Sequence, residues 1–194
     1  FALFGESALS IPLNEALPPE IVPFRKKAGD DSSCLNLGSA QTPSIIGVNP
    51  ELLAQRNAFS VKEGLKGKEQ SVWTLLKSHE GDVLPVIGDE ATLRWGLKKG
   101  LGDFIEVEGE ARQKVRLKVV AMLSTNLLQG HLIVSTEVFR TLFPGESGYQ
   151  LFLVDSPKTQ MEATRNSLNN RYGDYGLRLE PSTRRLAQFH SVEN

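Results

Sequence analysis

Alternating apolar residues between positions 115 and 123 constrain the fold more than any other feature of this sequence. The apolar members are Val115, Leu117, Val119, Ala121 and Leu123, and charged residues separate the first three of them. Successive side chains of a strand point to opposite faces, so this spacing predicts a half-buried β-strand with its charges outward. Such a strand needs neighbours in a sheet and a layer packed on its apolar face.

A buried strand and a helix are predicted just before this segment. The apolar run Leu84–Ile87 suits a buried strand. Asp89 is a good N-cap for a helix over Asp89–Lys99, which has lysines in its last turn and Gly100 after it. The apolar pairs four residues apart in this helix are Ala91/Trp95 and Leu93/Leu97. We expect both pairs to share one broad inward face, which makes Trp95, like Trp73, a predicted core anchor.

The remaining elements predict an α+β fold with short strands in mixed order. Six prolines in the first fifty residues favour extended pieces and loops there. Further predicted elements are a short helix from Glu51, strands near 104–108, 132–134, 149–154 and 177–179, a helix over 137–143, a helix after Ser156 that ends at Gly173, and a final helix from Ser182. No repeat of 20–50 residues is present, which excludes solenoids.

Composition excludes several classes of protein. The chain has 194 residues, which suits one domain or one domain carrying a lobe. Its 22 basic and 23 acidic residues give a net charge of −1, so there is no electrostatic case for nucleic acid as a partner. The single cysteine, Cys34, allows neither an internal disulfide nor a cysteine-based zinc site. Because the first residue is Phe1, we expect a processed or excised piece of a longer protein.

Motifs for nucleotide binding and for serine chemistry are approached but not completed. Gly64–Lys68 has the wrong spacing for a P-loop, and Gly100–Gly102 lacks the third glycine of a dinucleotide fold and leads into a strand. Gly5–Ser7 and Gly145–Ser147 both lack the closing glycine of a nucleophile elbow. The sequence therefore predicts no catalytic residues and no cofactor-binding residues.

Single residues with reactive side chains have structural explanations. The histidines are His79, His131 and His190, and none has a partner four residues on that would make a zinc helix. Any of them could still pair with a distant Ser and Asp. Asp30 and Asp31 are expected to cap a turn instead of binding a cation, because further oxygen ligands are missing nearby. Cys34, next to Leu35, is expected to be a small buried side chain. No metal site is predicted.

An ordered set of segments resembles the extracytoplasmic domain of FtsX-like ABC-transporter permeases. The segments are Gly29–Leu37, Pro43–Val48, Pro85–Thr92, Gly102–Ile105, Gln129–Ser135, Phe139–Pro144 and Arg185–Asn194. Together they span roughly Pro23 to Asn194 in the order found in the family. The resemblance implies a MacB-like periplasmic core, with a βαβ-type porter lobe over 1–83 and 144–194 and a small β-rich lobe inserted at 84–143.

The same resemblance implies a role and a location. Such domains are not enzymes and need no cofactor; they transmit ATP-driven motion of membrane helices to a substrate or partner outside the membrane. The implied partners are a separate ABC ATPase, a second permease copy or paralogue, and a periplasmic or outer-membrane protein. The final helix would run into a membrane span, with Phe1 at the same pole and the inserted lobe at the far pole.

Two other functions stay open from the sequence. A free-standing periplasmic binding or adaptor protein would share the composition but would have a natural start and stop. A hydrolase would need a serine and a histidine brought together by the fold.

Overall fold

The computed structural model describes residues 1–29, 42–65, 71–77 and 81–193. The strands are β1 (Leu3–Ile11), β2 (Ile21–Lys27), β3 (Ser44–Val48), β4 (Val61–Gly64), β5 (Leu84–Asp89), β6 (Phe104–Glu108), β7 (Lys114–Leu123), β8 (His131–Ser135), β9 (Tyr149–Val154) and β10 (Arg178–Pro181). The α-helices are α1 (Pro50–Ala54), α2 (Thr136–Leu142), α3 (Met161–Tyr172) and α4 (Ser182–Glu193). Short 3₁₀ turns lie at Val72–Leu76, Lys158–Gln160 and Gly173–Tyr175, and a π-helix at Ala91–Gly96. The predicted α+β class is confirmed.

The chain packs as two compact units. Unit 1 consists of Phe1–Lys26 and Ser147–Asn194, and unit 2 is Lys27–Glu146. The insertion predicted at 84–143 lies within unit 2, which also holds residues 27–83 and 144–146. The reason is strand pairing that sequence spacing does not reveal: β3 pairs in parallel register with β8, from Ser44↔His131 to Val48↔Ser135.

Unit 1 is an antiparallel sheet with two helices. The strand order is β10–β1–β9–β2, and each neighbouring pair is antiparallel. Strands β9 and β10 therefore run parallel to each other on either side of β1, and α3 connects them, which makes a split βαβ unit. Leu168 and Tyr172 of α3 are buried in a core with Leu3, Phe152 and Leu179.

Both the start of the chain and the start of α4 lie at one end of this sheet. Leu3 pairs with Val154 and with Pro181, and the Ser182 N–H donates to the Ala2 carbonyl at 2.9 Å. The other end of the sheet holds the points where the chain leaves and re-enters unit 1. Phe24 pairs with Leu151, and the same register puts the end of β2 beside the beginning of β9.

Unit 2 is a mixed sheet with short helices. The order is β3–β8–β5–β7, with β3 parallel to β8, β5 antiparallel to β8, and β5 parallel to β7. The outer edge of β7 is shared: β6 pairs with its first half, and β4 pairs with its second half. Helix α2 follows Ser135, whose Oγ accepts from the Val138 N–H at 3.2 Å and caps the helix.

The core of unit 2 matches the sequence prediction in its strands and in one of the two tryptophans. Every residue of β7 from Val119 to Leu123 is buried, so the alternation predicts only its first half correctly. Trp73 is 1% exposed, and its indole N–H donates to the Ala58 carbonyl at 2.9 Å. The prediction that Trp73 is a core anchor is confirmed.

The prediction that Trp95 is a core anchor is wrong, since 65% of this residue is exposed. Leu93 is fully buried and Leu97 packs beside it at the edge of the same core. Residues two apart on a helix do not face each other, so a helix that turns Leu93 inward turns Trp95 outward. The helix is also shorter than predicted and has π geometry, shown by the Leu97 N–H bonding to the Thr92 carbonyl five residues back.

Candidate functional site

The first functional candidate is the point where α4 joins the sheet of unit 1. The Arg185 guanidinium carbon lies 3.5 Å from the centroid of the Phe4 ring and 5.1 Å from that of Phe189. Phe4 belongs to β1 and is 3% exposed, whereas Phe189 is one turn further along α4. The cation is therefore held between an aromatic ring of the sheet and one of its own helix, at distances typical of cation–π contacts.

Charge reinforces this contact. Arg185 Nη1 lies 3.8 Å from Glu180 Oε1 on β10, and the arginine side chain is only 15% exposed. Burial lowers the pKa of the Arg185 guanidinium, while the charges of Glu6 and Glu180 oppose that shift. Because an arginine stays charged in proteins, the desolvated cation depends on these neighbours.

A groove of about 480 Å³ opens beside Arg185. Its lining comes from β1, β10 and α4 and includes Phe4, Glu6, Ser7, Arg178, Glu180 and Arg185. Lys26 Nζ approaches Glu6 Oε1 at 3.7 Å, so charges of both signs follow one another across this face. The mixed charge suits a structural joint or a polar contact better than a pocket for an apolar ligand.

The second candidate is the presentation of Trp95 on the surface of unit 2. The buried Asp89 carboxylate, 2% exposed, accepts from the Thr92 N–H at 2.9 Å, the Thr92 hydroxyl at 2.7 Å and the Gly130 N–H at 2.9 Å. Arg94 donates to Glu90 at 3.0 Å and to Glu63 of the neighbouring strand β4 at 2.8 Å. These bonds tie the start and the middle of the π-helix to neighbouring elements, so the exposed indole is held on a well-supported segment.

Cationic side chains flank this indole. Lys98 Nζ lies 6.0 Å from the centroid of the Trp95 ring, and Lys98 has a left-handed backbone with φ of 58°. Within the described ranges, neither Lys98 nor Lys99 forms an ion pair with a carboxylate. Exposed tryptophans supported in this way are common centres of protein–protein contacts.

The fold of the chain is similar to that of a solved periplasmic region. It matches the crystal structure of the periplasmic region of MacB from Actinobacillus actinomycetemcomitans with a TM-score of 0.50 and 14% sequence identity, over 100% of this chain and 92% of that chain. The fold is that of the MacB periplasmic region. The extracellular domain of the noncanonic ABC-type transporter YknZ from Gram-positive bacteria gives a TM-score of 0.44 and 14% identity over 91% of this chain and 99% of that one. No protein-family model and no curated protein matches the sequence.

This MacB-like fold confirms the resemblance found in the sequence at the level of the fold. The first structure is described as a periplasmic region, and the second as the extracellular domain of an ABC-type transporter. Across the part of the chain that the structure describes, no helix has the length and apolar character needed to cross a bilayer.

One pair of residues with catalytic side chains is brought together. Ser44 Oγ and His131 Nδ1 form a hydrogen bond between the first residues of β3 and β8, which are opposite one another in the parallel register. A hydrolase would need a serine beside a histidine, although in a catalytic triad the serine hydroxyl bonds to Nε2 and not to Nδ1. Ser44 is followed by four more strand residues, not by a helix, so the nearby backbone does not form the elbow of an α/β-hydrolase.

The other residues singled out in the sequence remain apart or lie outside the described ranges. Ser7 is inside β1, where its hydroxyl donates to the Tyr149 carbonyl at 3.4 Å, and Ser147 and His190 are exposed. Gly102 leads into β6, as predicted. Asp30, Asp31, Cys34, His79 and positions 66–68 fall outside the described residues. Among the residues described, no three His, Cys, Asp or Glu side chains converge on a metal-binding position.

The sequence interpretation missed the Arg185 contact. Arg185 and Phe189 are four residues apart on a predicted helix, a spacing that would have indicated their pairing. Phe4 is 181 positions earlier, and only the pairing of β1 with β10 brings it close.

Proposed function

We propose that this chain is a non-catalytic extracytoplasmic domain of an FtsX-like ABC-transporter permease. In this role it couples ATP-driven motion of membrane helices to a substrate or partner outside the membrane. The observation that carries the proposal is the MacB-like fold over the whole chain. Its partners would be a separate ABC ATPase, a second permease copy or paralogue, and a periplasmic or outer-membrane protein.

The geometry of unit 1 supports this role. A domain that is looped out between two membrane helices must return both chain ends to one surface. Ala2 and Ser182 are joined by a hydrogen bond at one end of the sheet, so the first residues of the chain and the first residue of α4 are neighbours there. Unit 1 would be the porter-like lobe and unit 2 the inserted β-rich lobe.

Unit 2 offers a candidate contact for the partner. Trp95 is exposed on a well-supported segment and is flanked by Lys98. The net charge of −1 argues against nucleic acid as that partner.

Purification of the full-length protein that carries this chain, from its own cells and in mild detergent, tests the proposal. We expect an ABC ATPase to co-purify in a fixed ratio, and we expect protease added to intact cells or spheroplasts to cleave within this domain. A domain that is cut only after lysis, together with no associated ATPase, would contradict the proposal. The matched control is a cytoplasmic protein of the same cells, which must survive the protease until lysis.

A serine hydrolase is the second candidate, favoured by the Ser44–His131 hydrogen bond. A fluorophosphonate probe measures it directly, because an activated serine forms a covalent adduct that intact-mass spectrometry detects. The proposed function expects no adduct on the wild-type chain. Labelling that persists in Ser147→Ala and disappears in Ser44→Ala would overturn the non-catalytic assignment.

A further inference from the structure

Among the described side chains of α4, few are buried or half-buried. Ser182 at its first position is buried, and Arg185, Leu186 and Phe189 are half-buried. The other described side chains between 183 and 191 are exposed. Beyond the first turn, the orientation of the helix therefore depends on this narrow face.

We propose that Arg185 is the positioning residue that fixes the direction of α4, so that α4 and the sheet of unit 1 move as one body. The role of this Arg185 contact, called the joint below, in transmitting motion rests on the proposed function, in which α4 carries motion between the membrane and the domain. Arg185 makes two cation–π contacts and one ionic contact: the Phe4 ring at 3.5 Å, the Phe189 ring at 5.1 Å and the Glu180 carboxylate at 3.8 Å. It thus links the helix to both β1 and β10.

The planar shape of the guanidinium is essential to this proposal. A flat delocalised cation stacks on an aromatic face and also reaches a carboxylate at its rim, whereas an ammonium acts as a point charge. Lysine at position 185 would keep the charge and lose the stacked geometry. The proposal therefore predicts that Arg185→Lys fails to replace the native residue.

Hydrogen exchange on the whole 194-residue chain tests the joint. In Arg185→Ala and Arg185→Lys we expect amides between residues 186 and 191 to exchange about tenfold faster, since one desolvated cation–π contact is lost. Amides of β1 and β9 should be unchanged. Arg184→Ala is the matched control because Arg184 is exposed on the same turn. Three results would each overturn the proposal. They are an equal acceleration of amide exchange in β1 and β9, full protection of the α4 amides in Arg185→Lys, and the same acceleration in Arg184→Ala.

A distance measurement separates positioning from helix stability. Spin labels at Ser191→Cys on α4 and Glu162→Cys on α3, in a Cys34→Ser background, report the angle of α4 within unit 1. We expect a narrow distance distribution that broadens in Arg185→Lys and stays narrow in Arg184→Ala; no broadening would refute the joint. Neither measurement involves an ATPase, so the joint can hold even if the purification experiment refutes the transporter role.

Discussion

Gly47 of β3 lies directly against Phe139 of α2: a Cβ atom added to Gly47 would be 2.6 Å from the Phe139 Cβ and 2.8 Å from its Cγ. Phe139 is fully buried and packs edge-on against Phe143, with ring centroids 5.3 Å apart. This contact places α2 on the sheet of unit 2 with no space for a larger residue at position 47.

Gly47→Ala should therefore lower the free energy of unfolding by about 1–3 kcal/mol, the usual range for overpacking a core. Gly173→Ala is the control, because nothing lies within 4 Å of its added Cβ and its backbone is right-handed. We expect the control to be neutral or stabilising by about 0.4–1 kcal/mol. Urea denaturation of both variants measures the difference, and equal stability would mean that α2 shifts to accommodate the methyl group.

The two tryptophans should respond in opposite ways to truncation. Trp73→Ala removes a buried ring and its bond to Ala58, at a cost of about 3–5 kcal/mol. Trp95→Ala removes an exposed ring and should change the unfolding free energy by less than about 0.5 kcal/mol. Thermal denaturation provides the comparison, with each variant serving as the other's control. A large loss of stability in Trp95→Ala would show that the indole is packed in solution.

Replacing Asp89 by asparagine should cost about 1–3 kcal/mol. The buried carboxylate accepts two backbone N–H groups and one hydroxyl, and an amide would present a donor to one of them. Asp103→Asn is the matched control, because Asp103 is exposed and, among the described residues, accepts the Gly100 N–H alone, at 2.7 Å. We expect that variant to lose less than about 1 kcal/mol in chemical denaturation. Similar losses in the two variants would argue against a special role for the Asp89 network.

Alkaline pH should destabilise unit 1 through Tyr172. Burial raises the pKa of this phenol above its usual value, and its hydroxyl has no hydrogen-bond partner among the described residues. A group with a raised folded pKa contributes stability that is complete below the unfolded pKa of about 10 and is lost as pH rises through the folded pKa. Tyr172→Phe should be at least as stable as the wild type at pH 7 and should lose less stability above pH 10.

Tyr175→Phe is the control for that experiment, since Tyr175 is only half-buried at the edge of the same core. Denaturation followed from pH 7 to pH 11 should show the reduced alkaline loss in Tyr172→Phe alone. An identical pH profile for the wild type and Tyr172→Phe would assign the alkaline transition to other groups.

Local patterns in the sequence predict the helices and strands well, but they do not predict which distant strands pair with each other. The apolar run at Tyr149–Val154 is a strand with those same bounds, and the helix predicted over 137–143 corresponds to α2 at Thr136–Leu142. The sequence pattern places Trp95 on the wrong face of its helix. Ala91/Trp95 and Leu93/Leu97 are both pairs four residues apart, but the two pairs lie on opposite sides of the helix. The unit boundary at Lys26/Lys27 depends on β3 pairing with β8, almost 90 residues later, for which a single sequence holds no local pattern.

The candidate site likewise combines residues that are close in sequence with residues that only strand pairing brings together. Arg185 and Phe189 are close in sequence, but the ring that completes the contact, Phe4, comes from the far end of the chain. The Ser44–His131 bond likewise depends on the β3–β8 register. In both cases the residue types are visible in the sequence and their proximity is a property of the sheet.

The antiparallel pairing of β2 with β9 has a consequence for how this chain can vary in evolution. These strands flank the whole of unit 2 in sequence, yet they are hydrogen-bonded to each other within unit 1. Adjacent antiparallel strands can be closed by a turn of two residues. We therefore expect that the segment between them can be lengthened, exchanged or removed while the β2–β9 pairing keeps its register, so that one scaffold can carry lobes of unrelated sequence.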